Sequence, residues 1–268
     1  MTTISQLHLS RYELWFLLSH TTPATVVGFR NPTAGLLVED TFPLIQEASF
    51  SLLNKDLIYV DVNNQIKIRD NLGTLLHTIT TPQHTVLIAF QLNDDKKEKV
   101  RSFNFDGIHT TFLKELTDGS YNISQLESKE DLLSQVTEPF SDKVFRAPDT
   151  KPLHFLQDDI VLAQQLFEGS KVDEAKNYLD KARGEESSKL HLLETLQNPS
   201  IRFSLIGFME RNNPQKNYIN GFSIVAGERY VWLFEIIDEK EKIVRVSKIA
   251  LKDMNEKIIS MMPFSTGG

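Results

Sequence analysis

One pattern is written twice in this chain, four candidate strands followed by an amphipathic helix. The first copy runs HTVLIAFQ from His84, VRSFNF from Val100, IHTTFLKEL from Ile108 and SYNISQL from Ser120, and closes with SKEDLLSQV from Ser128. The second runs SIRFSLIGFME from Ser200, NYINGFSIVA from Asn217, ERYVWLFEII from Glu228 and KIVRVSKIA from Lys242, and closes with LKDMNEKIISMM. Short apolar and alternating runs separated by turn residues read as antiparallel strands. Repetition of the whole unit restricts the fold to two halves related by an approximate two-fold axis. The expected class is α+β, with two mainly antiparallel strand modules forming a central sheet, helices packed on one side and a helical insertion between the modules. Residues 1–138 and 139–268 are then the two halves of one compact domain.

The strands sort by burial. In YVWLFEII, Tyr230, Trp232, Phe234 and Ile236 share one face while Val231, Leu233 and Ile237 share the other, so both faces are apolar and the strand is covered twice. VRSFNFD alternates Phe103 and Phe105 with Ser102 and Asn104, which predicts one face in water. The segments before the first module read as helix, hairpin and helix. Ser10 and Glu13 have capping-box spacing ahead of YELWFLLS, so a helix starts near Arg11 and buries Leu14, Trp15, Leu17 and Leu18. Residues 20–35, punctuated by Pro23, Gly28, Pro32 and Gly35, read as a loop or weak strand. Asp40 is the expected cap of a helix through Leu53, with Pro43 in its first turn. LIYVDVNNQIKIR follows as a hairpin turning at Asn63 and Asn64, and DNLGTLLHTIT as a third helix ending before Pro82. Between the modules Pro139, Pro148 and Pro152 mark an irregular connector. Three helical stripes come next, at Leu156, Ile160, Ala163 and Phe167, at Val172, Ala175, Leu179 and Ala182, and at Leu190, Leu193 and Leu196; Gly169 and Ser170 supply a stop and a cap.

Chemistry is sparse. Cysteine is absent, which removes disulfides, thiolate metal sites and thiol nucleophiles together. The histidines, His8, His20, His77, His84, His109, His154 and His191, show no HExxH or close carboxylate spacing, so no metal site is expected. No phosphate-binding glycine pattern is present. Gly221, Phe222, Ser223, Ile224 and Val225 approach a nucleophile elbow, but Val stands where the sharp turn needs glycine, and Ser223 reads as a strand residue. Asp158 and Asp159 belong to the polar side of a helix. No cofactor and no catalytic residue is expected.

The formal net charge is −7, with residues 1–147 contributing −5 and the remainder −2, so neither half offers a phosphate-tracking surface. A helix from Asp40 followed by a hairpin has the order of recognition helix and wing in a winged-helix regulator with an appended sensing domain. Glu39, Asp40, Glu47 and Asp56 around Lys55 give that helix the wrong sign for a major groove, and no nucleic acid is expected as partner. The N-terminus lacks a secretory pattern and the apolar runs are too short to span a bilayer, so a cytoplasmic protein without membrane insertion is expected.

The order of elements resembles the EspG family, the cytosolic chaperones of type VII (ESX) secretion systems. The similarity lies in SFSLLNKDLIYVDVNNQIKI running into NLGTLLHTITTPQHTVLIAF, and in Gly227, Arg229 and Tyr230 ahead of a hydrophobic strand, a turn and the closing helix IALKDMNEKIISMM. This resemblance implies a quasi-two-fold fold and a non-catalytic chaperone that binds secreted helical proteins before export, masking an apolar tip. Asn, Lys and Ile usage suits a bacterium of low genomic GC content, where a WXG-like or LXG-like helical protein would replace PE and PPE substrates. The polar tip Asn93, Asp94, Asp95, Lys96 and Lys97, between two apolar strands, is the candidate partner-binding loop, since a loop on a rigid sheet is well placed for recognition. The resemblance adds that a loop between early sheet strands contacts substrate in the family.

Overall fold

The computed structural model describes residues 5–21, 26–93, 95, 97–143, 151–209 and 220–262. Its frame is a ten-stranded antiparallel sheet. The first half supplies β1 (Gln6–Leu9), β4 (His84–Leu92), β5 (Lys99–Phe105), β6 (Thr110–Glu115) and β7 (Tyr121–Leu126). The second supplies β8 (Leu153–Leu156), β9 (Ile201–Met209), β10 (Asn220–Ala226), β11 (Val231–Asp238) and β12 (Ile243–Lys248). The order β1-β7-β6-β5-β4-β9-β10-β11-β12-β8 reads the same from both edges once the halves are matched. The two modules meet at β4 and β9, in register from His84 opposite Met209 to Leu92 opposite Ile201. VLIAF and RFSLIGF therefore occupy equivalent strands, as do TTFLKEL and YVWLFEI.

Each module closes with a helix, α4 (Lys129–Thr137) and α8 (Leu251–Met261), and both lie on one face of the sheet. Ser128 caps α4 by a reciprocal capping box with Asp131. Leu132 and Val136 of α4 and Met254 and Ile258 of α8 join Val86, Ile88 and Phe90 of β4, Phe103 of β5, Phe203 of β9 and Ile224 of β10 in the largest core cluster. The opposite face carries two separate lobes, one toward each edge. Over β6 and β7 lie α1 (Arg11–Ser19), α2 (Val38–Asn54) and α3 (Gly73–Thr80), packed on Leu113, Tyr121 and Ile123. Over β11 and β12 lie α5 (Gln157–Glu168), α6 (Val172–Leu179) and α7 (Glu186–Gln197), packed on Trp232, Phe234, Val244 and Val246. The α+β class and quasi-two-fold architecture are thus as expected. Helices on one side with a partly open second side describes the middle of the sheet; toward its ends, strands apolar on both faces hold helices on both.

Local expectations fare unevenly. The capping box of α1 forms, with Glu13 accepting from the Ser10 amide at 2.6 Å. Leu14 and Leu17 are buried there, but Trp15 and Leu18 are only half-buried, and Phe16 takes an inward place instead. α2 begins two residues earlier than Asp40, at Val38 after an extended Leu37, so Asp40 sits inside the first turn and Pro43 in the second. Glu39 and Asp40 still stabilise that end through the helix dipole. The hairpin pairs β2 (Ile58–Val60) with β3 (Ile66–Ile68); only Asn64 takes a positive φ, 58°, while the Asp61 carboxylate accepts from the amides of Asn63 and Gln65. Ser170 does not cap α6, whose cap position is Lys171. Leu156 and Leu190 are exposed, and Ser188, Leu192 and Thr195 take the inward face of α7. Pro148 and residues 22–25 lie outside the described residues.

The water-facing side expected for Ser102 and Asn104 is also corrected, since both are fully buried. Thr85 Oγ1 donates to Asn104 Oδ1 at 3.1 Å and Asn104 Nδ2 donates to Ser102 Oγ at 3.2 Å, so the polar pair is satisfied in place. Gly28, at φ 84°, lies over them. A β-carbon there would stand 3.1 Å from Ser102 Oγ, an approach that favours glycine.

Candidate partner-binding face

Between the two lobes the sheet has a strip that no helix covers among the described residues. It consists of Val100 of β5, Leu87 and Ala89 of β4, Ser204 and Ile206 of β9 and Gly221 and Ser223 of β10, which alternate with the core residues because successive side chains in a strand point to opposite faces; Thr85, Ser102, Asn104 and Val225 share that face but are buried at its margins. Cross-strand register arranges them in rows. Leu87 lies opposite Ile206, which lies opposite Gly221; Val100 lies opposite Ala89, Ala89 opposite Ser204, and Ser204 opposite Ser223. All of these are half-buried, whereas their sequence neighbours Ile88, Phe90, Phe203, Leu205, Phe222 and Ile224 are buried on the other face. Ser204 and Ser223 share a hydroxyl hydrogen bond of 3.1 Å across the strip. Three interstrand steps separate β5 from β10, roughly 14 Å, and a helix with its side chains is about 10–12 Å across. Ala89, Ser204, Gly221 and Ser223 share this floor with the larger Val100, Leu87 and Ile206, and its width matches one helix.

Each wall of the strip is fixed. On the first side, Val26 is buried with the α1–α3 lobe, Phe29 packs on Tyr121 with ring centroids 5.4 Å apart, and Gly28 between them touches Leu87 and Ser102. On the second, Arg202 of β9 forms an ion pair of 3.2 Å with Glu168 at the end of α5, and Gly227 packs on Thr195 of α7.

One end of the strip runs to the loop joining β4 and β5, the polar tip singled out in the sequence. Its last row pairs Gln91 with Arg202. Asn93 is exposed and its amide donates to the Ser200 carbonyl at 3.0 Å, tying the tip to the second module. Asp95 is held from several sides. Its amide donates to the Leu92 carbonyl at 2.9 Å, Gln91 Nε2 donates to its carbonyl at 3.2 Å, and its carboxylate pairs with Lys99 at 2.9 Å. The Lys99 ammonium, then the Lys97 amide, hold the Asp95 carboxyl below its ordinary value. Lys97 is exposed; Asp94 and Lys96 lie outside the described residues. The polar tip adjoins one end of the strip; the floor is absent from the sequence expectations, although Ala89, Ser204 and Ser223 each stand between two large apolar residues within a strand.

Other candidate chemistry is dispersed. Among the described residues no group of three or more His, Asp and Glu comes together as a metal site. Ser223 is a strand residue bonded to Ser204, and Asp159 pairs with Lys181 at 2.8 Å. No helix among the described residues is long and apolar enough to cross a membrane. The helix and wing order is present in α2 and β2–β3, but the exposed residues of α2 include Glu39, Asp40 and Glu47, which repel phosphate.

No family model and no curated protein matches the chain. Among solved structures it is similar to the Mycobacterium tuberculosis type VII secretion system chaperone EspG5, solved in complex with a PE25–PPE41 dimer. The TM-score is 0.70 over 97% of this chain and 98% of that chain, at 8% sequence identity. The two proteins share a fold along essentially their whole lengths.

Proposed function

We propose that this protein is a non-catalytic cytoplasmic chaperone or accessory protein of a type VII secretion system, binding a secreted helical protein before export. What supports this most is that its fold resembles that of a type VII secretion chaperone over 97% of the chain. The second support is the strip itself, a helix-wide floor with small residues at Ala89, Ser204, Gly221 and Ser223, between fixed walls. A helical tip of the client lies along Ala89, Ser204 and Ser223, and halves 1–138 and 139–268 act as one binding unit because the strip spans their junction. The loop Asn93, Asp94, Asp95, Lys96 and Lys97 contacts the client where the strip ends. The client is a WXG-like or LXG-like helical protein.

Calorimetric titration against the helical proteins encoded beside this gene tests the reading. Ala89→Arg and Ser223→Arg place long charged side chains on the floor and should abolish binding while leaving the chain folded, since both positions are only half-buried. Charge reversal at Asp94, Asp95, Lys96 and Lys97 should weaken binding by a smaller factor. Wild-type protein that binds none of these clients overturns the chaperone reading; binding that survives Ala89→Arg and Ser223→Arg overturns the strip.

A further inference from the structure

A second surface, remote in kind from the strip, is carried by α2. Its 17 residues, VEDTFPLIQEASFSLLN, include no Lys or Arg, and only Ala48 and Leu52 are buried. Val38, Phe42, Gln46 and Phe50 recur every four residues and so form one row along the helix. Val38 is 86% exposed, Phe42 66% and Phe50 56%. Glu39 and Glu47, each three residues before a Phe of that row, flank it, and Asp40 lies further round the helix; all three are exposed, and among the described residues none of the three carboxylates has an ion-pair partner. Pro43, Gln46, Glu47, Phe50, Ser51 and Asn54 line a shallow depression along the same side.

An exposed row of large apolar side chains costs solubility, and in folded proteins such patches mark contact surfaces. The charge decides the occupant. A second copy of α2 would oppose three carboxylates with three carboxylates, and nucleic acid or an anionic bilayer would meet the same repulsion. We propose that this face of α2 docks a cationic amphipathic helix of a protein partner, with apolar side chains at four-residue spacing against Phe42 and Phe50 and flanking Lys or Arg against Glu39 and Glu47. Such a helix, lying along about 25 Å of α2 at about 1.5 Å per residue, brings each of these carboxylates a counter-charge while the apolar rows interlock. The surface is separate from the strip, so the two bind independently.

The test uses the full chain and a synthetic amphipathic Leu/Lys peptide of α2's length, with a Leu/Glu peptide of the same pattern as control, followed by fluorescence anisotropy at near-physiological salt. The Leu/Lys peptide should bind and the Leu/Glu peptide should not. Phe42→Ser with Phe50→Ser should weaken binding at least about tenfold, because both anchoring rings are lost. Glu39→Gln with Glu47→Gln should weaken it severalfold and flatten its salt dependence. Ala89→Arg, on the strip, should leave it unchanged. Hydrogen exchange on the wild-type chain, which needs no variant to fold, should show peptide-dependent protection confined to α2 and its flanks. Equal binding of the Leu/Glu peptide, binding unaffected by the two Phe changes, or protection elsewhere overturns the proposal. A dimer of the free chain that Phe42→Ser with Phe50→Ser dissociates also overturns it, by making a second copy the occupant.

Discussion

Trp232 tests the twice-covered reading of β11 most directly. Its side chain is fully buried, enclosed by Leu192, Leu196, Val225 and Val246 in the core beneath α5–α7, and its indole N–H donates to Thr195 Oγ1 at 3.1 Å. Trp232→Ala removes the largest buried side chain in the molecule and leaves a cavity that fixed helices on one side and a fixed sheet on the other cannot collapse. Transfer and cavity contributions together give about 3–5 kcal/mol. Trp232→Phe separates the two parts of the effect. Thr195 keeps its own donation to the His191 carbonyl at 3.0 Å, so Phe loses only the indole bond and part of the volume, about 1–2 kcal/mol. Urea titration by circular dichroism should show lower midpoints with an unchanged slope, and for a chain of this size the alanine variant should melt on the order of 10 °C lower. A loss under about 1 kcal/mol for Trp232→Ala would mean that the ring is not enclosed, and with it the coverage of β11 on both faces would fall.

Trp15 is half-buried, so Trp15→Ala should cost roughly 1–2 kcal/mol, less than Trp232→Ala in the same urea titration. Glu13 is buried and accepts from the Ser10 amide at 2.6 Å, Ser51 Oγ at 2.7 Å and Lys55 Nζ at 2.7 Å; Glu13→Ala should destabilise by about 2 kcal/mol, since Lys55 remains hydrated but the helix cap and the α1–α2 bond are lost. Burial raises the Glu13 carboxyl, yet those hydrogen bonds and the Lys55 charge hold it below its ordinary value, so its contribution is present above the ordinary carboxylate range and is lost as pH falls through the lowered value. Asp106 behaves likewise. Burial raises its carboxyl, but donation by the amides of His109 and Ile108 and by Thr78 Oγ1 lowers it to about 2, so stability should fall between about pH 4 and pH 2. Asp106→Asn should flatten that limb in acid titrations followed by circular dichroism.

The doubled module was legible because its strands are long and its closing helices strongly patterned, as in HTVLIAFQ and IRFSLIGFM. The duplication extends further than the sequence pattern suggests. Gln6–Leu9 and Leu153–Leu156 are both four-residue strands at opposite edges of the sheet, and each runs almost directly into the first helix of its lobe. The sequence marks neither as a strand, since four residues carry too little alternation to stand apart from a loop, and only pairing with β7 or β12 gives them a role. Ser102 and Asn104 were misread for a related reason. Alternation records polarity, while burial here depends on Gly28 and its neighbours, 74 and more residues away along the chain, coming to rest on that face. The strip went unread because its floor is defined by what does not cover it.

The edge strands explain why the strip exists. Each lobe enters the sheet through its own outermost strand, β1 or β8, and packs against the strands nearest that edge. Two lobes anchored at opposite edges of a ten-stranded sheet leave its centre, around Leu87, Ala89, Ser204, Ile206, Gly221 and Ser223, without a helix over it among the described residues, while α4 and α8 close the other face. The sequence fits that arrangement. Where lobes cover the sheet, both faces carry large apolar residues, as at Trp232 and Leu233; in the half-buried middle the same face mixes Leu87, Ile206 and Val100 with small residues at Ala89, Ser204 and Ser223. Large apolar residues in those three places would have sealed the gap by drawing the lobes inward or by promoting association of the sheet with itself. Small ones keep it open at low cost, leaving backbone and short hydroxyls within reach of an incoming helix. The recognition face proposed for the junction of two equivalent halves would then be a consequence of the duplication itself, without any residue specialised for chemistry.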